Sequence, residues 1–308
     1  MEKGLVTKST GSWYTVKAGS QVVQCRVKGN LRLKGIKNTN PVAVGDIVHF
    51  AIQPGEETGI IHEIEERQNY IIRKSTNLSK QNHIIAANVD QTLLMVTTAY
   101  PETPNEFIDR YLVTAEAYHI PAILVFNKID MSTGKIKDKM DEKISIYENV
   151  GYPIIKISVI QNYNLDKIIN VLQHKTTVLS GYSGVGKSTL INTLQPGLNL
   201  KTADLSDYHL QGKHTTAFAE MIALDFGGKI IDTPGIRAFG IVDFNKEEIN
   251  YFFPEIFQAS KFCRFYNCSH LREPGCAVKE AVQNEEISYS RYKSYMNIYT
   301  DEGGKYRK

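Results

Sequence analysis

The segment that decides the fold is Gly181-Tyr182-Ser183-Gly184-Val185-Gly186-Lys187-Ser188. It follows the apolar run Thr177-Val178-Leu179 and precedes a helix-like stretch that begins at Thr189. A strand, a glycine-rich turn and a helix in this order are the context that a phosphate-binding loop requires. The glycines let backbone N–H groups turn toward phosphate oxygens, and the start of the helix adds partial positive charge. Residues 181–188 therefore predict a nucleotide-binding domain.

The side chains of this loop have distinct predicted roles. Lys187 is the point charge for the outer phosphates, and Ser188 offers its hydroxyl to the Mg²⁺ ion that bridges them. A glycine-rich turn with an incidental lysine is the alternative, but it does not account for the strand before the loop and the helix after it. The residues predicted to contact the phosphates are Gly181, Tyr182, Ser183, Gly184, Val185, Gly186, Lys187, Ser188 and Thr189.

Two short motifs, each after an apolar run, indicate which nucleotide binds. They are Asn127-Lys128-Ile129-Asp130 and Asp232-Thr233-Pro234-Gly235. Asp130 can accept hydrogen bonds from N1–H and the 2-amino group of guanine, whereas adenine would leave a buried carboxylate unpaired. Asp232 is predicted to hold Mg²⁺ through water, and the N–H of Gly235 to sense the γ-phosphate. Residues 127–130 alone could form a turn or a helix cap, but the three motifs together favour GTP over ATP.

The order of the motifs predicts a circularly permuted domain. Apolar runs at residues 92–96, 122–126, 154–157 and 177–179 alternate with helix-like stretches, which indicates a parallel sheet covered by helices. In Ras-like GTPases the phosphate loop precedes Asn-Lys-x-Asp, but here residues 127–130 come before residues 181–188. A sheet whose termini lie close together can be cut and rejoined in this way without loss of its core.

The N-terminal segment predicts a small β-barrel. Short stretches rich in β-branched and aromatic residues occur at residues 5–7, 13–16, 21–25, 44–50 and 59–64, and turn residues separate the first three. An oligonucleotide-binding fold fits this pattern, and a barrel of the SH3 type is the alternative. Cys25 lies in a predicted strand, and we interpret it as a small core residue.

Local charge is more informative than the net charge of +3. Residues 26–45 and 67–89 are basic and contain no acidic residue. Such runs suit a nucleic-acid phosphate backbone, although solvated loops are the other interpretation. No apolar run is long enough to span a bilayer, and no signal peptide is evident, so we expect a cytoplasmic protein without membrane contact. Its four cysteines should then remain reduced.

The C-terminal segment predicts a structural zinc site. Three thiolates and one imidazole complete a tetrahedral Zn²⁺ site and leave no open position for catalysis. Zinc would stabilise a loop-rich segment with little core of its own. Further along, tyrosines alternate with basic residues from Tyr289 to Tyr299; they could bind RNA, but we favour packing against the zinc segment. The predicted ligands are Cys263, Cys268, His270 and Cys276.

Taken together, these features resemble the bacterial small-subunit-assembly GTPases known as RsgA, YjeQ or YloQ. The resemblance rests on the barrel, the permuted order, the spacing Cys-x4-Cys-x-His-x5-Cys and residues 84–91, Ile-Ile-Ala-Ala-Asn-Val-Asp-Gln. It covers essentially the whole chain. It implies an oligonucleotide-binding barrel and a role in late maturation of the small ribosomal subunit. It also implies binding to rRNA near the decoding region, and GTP hydrolysis that the subunit stimulates and that leads to release.

The resemblance also implies roles for individual residues. Residues 212–216, Gly-Lys-His-Thr-Thr, resemble the first switch, where Thr215 or Thr216 would complete the metal and γ-phosphate contacts. Ile236 stands where Ras-like enzymes have a glutamine that orients water, so His214 becomes the candidate for this task. Ser158 lies in the loop that would help to hold the base.

The predicted architecture is multidomain: a barrel over residues 1–68, a basic linker over 69–85, a permuted GTPase domain over 86–245 and a mainly helical zinc-binding domain over 246–308. We expect a monomer that binds GTP and GDP with one Zn²⁺ per chain. The main alternative function is an RNA-binding module that uses nucleotide as a latch with little hydrolysis. A P-loop ATPase is a weaker alternative.

Overall fold

A computed structural model describes residues 1–27, 41–73, 83–198, 200, 219–232 and 245–300 of the 308-residue chain. Within these residues the chain forms a small β-barrel, a central sheet with helices on both faces, and a C-terminal helical module. None of the helices in these ranges is both long enough and apolar enough to cross a bilayer.

The N-terminal barrel has five strands in the order β1-β2-β3-β5-β4, and β1 also pairs with β4, so the sheet closes on itself. Strands β3 and β5 run parallel, whereas the other neighbouring pairs run antiparallel. This topology is that of an oligonucleotide-binding fold, and it decides against the SH3 alternative. The strands are β1 (Glu2–Ser9), β2 (Tyr14–Ala18), β3 (Gln21–Val27), β4 (Ile47–Ile52) and β5 (Thr58–Ile64).

The barrel interior is tightly packed around a glycine. A Cβ atom on Gly59 would lie 2.8 Å from the Sγ of Cys25 and 3.0 Å from the ring of Phe50, so only glycine fits this strand position. Cys25 is fully buried, and burial raises the pKa of its thiol to about 11. The interpretation of Cys25 as a small core residue is therefore confirmed.

The central sheet has six strands in the order β10-β9-β8-β11-β13-β12. The first five are parallel, and β12 runs antiparallel to β13. Every residue of β8 is buried, as expected for a parallel strand with helices on both faces. The strands are β8 (Gln91–Val96), β9 (Ala122–Phe126), β10 (Ile154–Lys156), β11 (Thr176–Gly181), β12 (Glu220–Ala223) and β13 (Lys229–Asp232).

Four helices cover this sheet. Leu94 of β8 belongs to the same core as residues of α1 and α2, whereas its neighbour Leu93 belongs to a core with residues of α3 and α4. Because successive strand side chains point to opposite faces, α1 and α2 cover one face and α3 and α4 the other. The helices are α1 (Asn105–Ala117), α2 (Lys135–Val150), α3 (Leu165–Leu172) and α4 (Lys187–Leu194).

The strand order shows the permutation directly. Strand β11, which leads into the glycine-rich loop, lies in the middle of the sheet between β8 and β13. Strands β8, β9 and β10 precede β11 in sequence but lie together on one side of it. The chain therefore passes through the base-recognition side of the sheet before it reaches the phosphate loop.

A short segment joins the barrel to the central sheet. Strands β6 (Tyr70–Arg73) and β7 (His83–Ala87) pair antiparallel, and the N–H of Ala87 donates to the carbonyl oxygen of Val44 at 2.8 Å. The side-chain amide of Asn88 donates to the carbonyl oxygen of Gly45 at 3.0 Å. The segment at residues 84–91, which is part of the family resemblance, thus contacts the barrel through one hydrogen bond from its backbone and one from a side chain.

The C-terminal module is helical, as predicted. A 3-10 helix (Lys246–Phe252), α5 (Pro254–Ser260), α6 (Ala277–Gln283) and α7 (Tyr289–Thr300) enclose a small core. Val113 of α1 belongs to this core, so the module packs against the central domain through α1.

Candidate functional site: a guanine-nucleotide site and a zinc centre

The predicted phosphate loop connects β11 to the start of α4. Gly184 and Gly186 have φ angles of 82° and 101°, a left-handed region that favours glycine. A Cβ atom on Gly186 would lie 2.5 Å from the side-chain amide nitrogen of Asn127, so the loop and the base-recognition motif are in close contact. The turn thus holds its backbone near the N-terminus of α4, where an anion is stabilised.

Lys187, the residue predicted to contact the outer phosphates, is bonded to its own loop. Its ammonium donates to the carbonyl oxygens of Gly181 and Tyr182 at 2.8 and 3.1 Å, and burial lowers its pKa. Asp232 raises the pKa of Lys187 electrostatically, so the two charges are near each other. The parallel register of Leu179 with Asp232 places both strand ends at the same edge of the sheet. A lysine, a carboxylate and a helix N-terminus thus converge at one point.

Asn127 holds two loops together. Its side-chain amide donates to the carbonyl oxygen of Val185 at 2.9 Å, and its Oδ1 atom accepts from the N–H of Val159 at 3.2 Å. The side chain is buried, with 6% of its surface exposed. Asn127 therefore fixes the distance between the phosphate loop and the loop after β10.

The predicted base-binding residues also lie together. Asp130 belongs to a short 3-10 helix (Ile129–Met131), and its Oδ1 atom accepts from the hydroxyl of Ser158 at 2.5 Å. Ser158 is fully buried, and its Oγ atom also accepts from the N–H of Gln161 at 3.2 Å. These bonds orient the Asp130 carboxylate, the group that would distinguish guanine from adenine.

Sequence reasoning missed a third wall of this site, the loop at residues 97–103 after β8. The ammonium of Lys128 donates to the carbonyl oxygens of Tyr100 and Gly184 at 2.5 and 2.9 Å. A Cβ atom on Gly184 would lie 3.2 Å from the ring of Pro101. The only available signal was position, since the loop follows a strand next to β11 and the carboxyl ends of parallel strands share an edge. We call residues 97–103, 127–130, 158–159, 181–189 and 232 the nucleotide edge.

Several predicted site residues lie outside the described residues. These are His214, Thr215 and Thr216 of the first switch, and Gly235 and Ile236 after Asp232. Their roles stay predictions.

The four predicted metal ligands come together in the C-terminal module. Their donor atoms all lie within 4.8 Å of one another. The Sγ atoms of Cys263 and Cys276 are 3.9 Å apart, and the Nδ1 atom of His270 lies 3.6 and 3.5 Å from them. Tetrahedral zinc with bonds of about 2.3 Å to sulfur and about 2.1 Å to nitrogen would separate such pairs by about 3.8 and about 3.6 Å. Cys268 completes the set, which therefore fits a structural zinc ion.

Neighbouring groups hold the zinc loop in shape. The carboxylate of Glu273 accepts from the N–H and hydroxyl of Ser269 and from the N–H groups of Leu271 and Arg272, at 2.6–3.2 Å. The hydrogen bond from the Ser269 hydroxyl makes the largest contribution to a Glu273 pKa lowered to about 2. Glu273 therefore stays ionised and organises the turn between His270 and Cys276.

Helix α7 packs against this loop through its tyrosines. The hydroxyl of Tyr292 donates to the carbonyl oxygen of His270 at 2.6 Å, and that of Tyr295 to the carbonyl oxygen of Ser269 at 3.0 Å. Both side chains are buried. The packing interpretation of these two tyrosines is therefore confirmed, whereas Tyr289 is exposed.

A buried charge cluster joins the zinc module to the central domain. Arg291 of α7 is 1% exposed; it donates to both carboxylate oxygens of Glu255, at 2.7 and 3.1 Å, and to the carboxylate of Asp109 in α1 at 2.8 Å. The hydroxyl of Tyr147 in α2 donates to the same oxygen of Asp109 at 3.0 Å. Arg291 therefore connects both units through paired charges.

Comparisons with known proteins agree with this geometry. The family profile described as RsgA GTPase matches residues 64–242, and that described as RsgA N-terminal domain matches residues 3–61. Proteins named small ribosomal subunit biogenesis GTPase RsgA from Phocaeicola vulgatus and Christiangramia forsetii are 54% and 52% identical to this chain. The first match covers 99% of both chains, and the second covers 99% of this chain and 98% of its relative.

Two solved structures are similar over nearly the whole chain. YjeQ from Thermotoga maritima superposes with a TM-score of 0.77 at 33% identity, with 97% of each chain covered. YloQ, described as a circularly permuted GTPase, superposes with a TM-score of 0.73 at 33% identity, with 97% of this chain and 94% of its own covered. From the matched profiles, the full-length relatives and the permuted sheet, we conclude that the chain belongs to the RsgA family of GTPases.

Proposed function

We propose that this protein hydrolyses GTP to GDP and phosphate during late maturation of the small ribosomal subunit, and that the subunit stimulates hydrolysis. The observation that carries the proposal is the nucleotide edge, where Asp130, Lys187 and Asp232 converge on one end of the sheet. The relatives at 54% identity over 99% of the chain are named for biogenesis of this subunit, which supports the choice of partner.

We infer the nucleotide-binding roles from the predicted motifs, and the contacts at the nucleotide edge support them. Asp130 recognises the guanine, with Ser158 orienting its carboxylate, while Lys128 covers the base. Residues 181–189 enclose the phosphates with backbone N–H groups and the Lys187 ammonium. Ser188, through its hydroxyl, and Asp232, through an intervening water, would hold Mg²⁺, which would supply positive charge beside the phosphates.

For hydrolysis, we propose that His214 positions the water and that Thr215 or Thr216 completes the contacts to metal and γ-phosphate. The side chain of Ile236 has no group that could hydrogen-bond water, so we expect a slow basal rate that rises when the small subunit binds. Lys187 stabilises charge on the transferred phosphoryl group.

RNA binding is assigned to the barrel and to the basic segments. Arg26 lies 4.0 Å from the ring centroid of Trp13, and such an arginine–aromatic pair can stack on a base. We propose that this surface contacts small-subunit rRNA near the decoding region, and that the protein acts as a cytoplasmic monomer without membrane contact. The proposed units are residues 1–68, 69–85, 86–245 and 246–308, the last with one structural Zn²⁺.

The test is GTP turnover with and without purified small ribosomal subunits. We expect turnover to rise steeply with small subunits and to stay at the basal rate with large subunits. The variant Lys187→Ala controls for contaminating GTPases, because it removes the phosphate-binding charge. If small subunits leave the rate unchanged, the proposed role in their maturation is wrong; subunit binding without turnover would favour the nucleotide-latched RNA-binding module.

A further inference from the structure

A groove on the zinc module lies between α5 and α6, apart from the nucleotide edge, and two of its lining residues directly neighbour candidate zinc ligands in the chain. Its volume is about 420 Å³. The small side chains of Ala259, Ala277 and Ala281 line it, and the buried Ile287 completes its apolar lining. Such a floor lets an extended chain or a long side chain approach the helices closely.

The groove carries net negative charge. Three carboxylates line it, and Glu255 is already paired with Arg291, so Glu280 and Glu286 provide the excess. Both of these glutamates are exposed, and none of the described residues that line the groove is basic. Phosphate groups would be repelled here, whereas cationic side chains would be attracted.

One wall of the groove is an exposed aromatic ring. Phe262 has 81% of its surface exposed, and it directly precedes the candidate zinc ligand Cys263. A cation placed over this ring near carboxylates would gain both cation–π and ionic stabilisation.

We propose that this groove binds a lysine- or arginine-rich segment of a protein partner. The aliphatic stems of the basic side chains lie along the alanine floor, and their charged ends meet Glu280, Glu286 and the face of Phe262. RNA fits the same place poorly because its phosphates would face the two glutamates. The inference rests on the proposed function, because it takes the partner to be a protein of the small ribosomal subunit. A basic segment of that protein occupies the groove.

The first test uses a fluorescein-labelled peptide with the repeat Lys-Arg-Ala and its acidic counterpart with Glu-Asp-Ala. Wild-type protein should bind the basic peptide and not the acidic one. The double variant Glu280→Lys/Glu286→Lys should bind at least about fivefold more weakly, since rim charges contribute modestly one by one. Asp138→Lys/Glu148→Lys on α2 makes the same change in net charge at exposed positions outside the groove, so it should bind as wild type does. Equal binding by both double variants would overturn the proposal.

The second test places the photo-crosslinker p-benzoyl-phenylalanine at position 262 and uses purified small subunits. GTP turnover in the same samples reports whether the subunits act on the protein at all, which tests the proposed function separately. With stimulation intact, crosslinks to a basic segment of a ribosomal protein support the inference. Crosslinks confined to rRNA, or an unchanged crosslink yield in Glu280→Lys/Glu286→Lys, would overturn it and leave the proposed function in place.

Discussion

At the nucleotide edge, separate loops are joined by direct hydrogen bonds between protein groups. Asn127 connects the phosphate loop to the loop after β10, and Lys128 connects it to residues 97–103. In the zinc module, by contrast, the loop between α5 and α6 holds four metal ligands, and its surroundings provide only a small core. The sheet therefore organises the nucleotide edge, whereas a structural Zn²⁺ would organise the candidate ligands of the zinc module, and the buried charge cluster attaches this module to α1.

The largest difference in stability between the zinc module and the nucleotide edge should appear when metal is removed. Structural zinc contributes about 10–16 kcal/mol of apparent binding free energy in small modules, so a chelator should unfold the zinc module. Hydrogen exchange by mass spectrometry should then show lost protection in α6 and α7 but retained protection in β8 and β11. Adding Zn²⁺ back is the control, and it should restore protection. Equal loss of protection in β11 would show that the two regions are not independent.

The second-largest effect is expected at the charge cluster that joins the zinc module to the central domain. Arg291→Met leaves the buried carboxylate of Asp109 and the partly buried carboxylate of Glu255 without their cation, which we expect to cost about 3–5 kcal/mol of unfolding free energy. Denaturant unfolding measures this cost. The exposed Lys293 on the same helix gives a control, since Lys293→Met should change stability little. Addition of Asp109→Leu to Arg291→Met should recover part of the loss, and no recovery would argue against the pairing.

A smaller effect is expected for phosphate binding. Lys187→Met removes one charge-assisted interaction, so GDP and GTP affinity should fall roughly a hundredfold while the fold stays intact. Titration calorimetry measures the affinity, and thermal unfolding of the ligand-free protein checks the fold. Lys167→Met on α3 is an exposed control. If Lys187→Met bound both nucleotides as tightly as wild type does, the position of the phosphates would have been assigned wrongly.

The smallest effect concerns the turn of the zinc loop. Glu273→Gln keeps the shape but weakens four hydrogen bonds to the carboxylate, and we expect a loss of about 1 kcal/mol in thermal unfolding at pH 7, because the site is partly solvated. The pKa of Glu273 falls from 4.5 to about 2 on folding. This stabilisation is therefore complete above about pH 4.5 and is lost as the pH falls toward 2. An unchanged melting temperature at pH 7 would contradict the assignment.

Much of the fold and site could be predicted because each motif is local. Residues 127–130 and 181–188 reveal both the nucleotide and the permuted order, and the cysteine and histidine spacing reveals the zinc centre. Long-range contacts could not be predicted in the same way. The loop at residues 97–103 has no binding motif, and Arg291 and Asp109 are 182 positions apart. Arg291 is 1% exposed and paired with the carboxylates of Asp109 and Glu255, which no local motif indicates.

We propose that residues 127–130 and 181–188 form one guanine-nucleotide site. Competition of GTP, ATP and xanthosine triphosphate for a labelled GDP analogue tests it most directly, in wild type and in Asp130→Asn. We predict that wild type prefers GTP strongly over ATP, and that Asp130→Asn loses that preference by roughly tenfold or more, because guanine loses its carboxylate partner. Equal competition by ATP and GTP in wild type, or an unchanged preference in Asp130→Asn, would contradict this account.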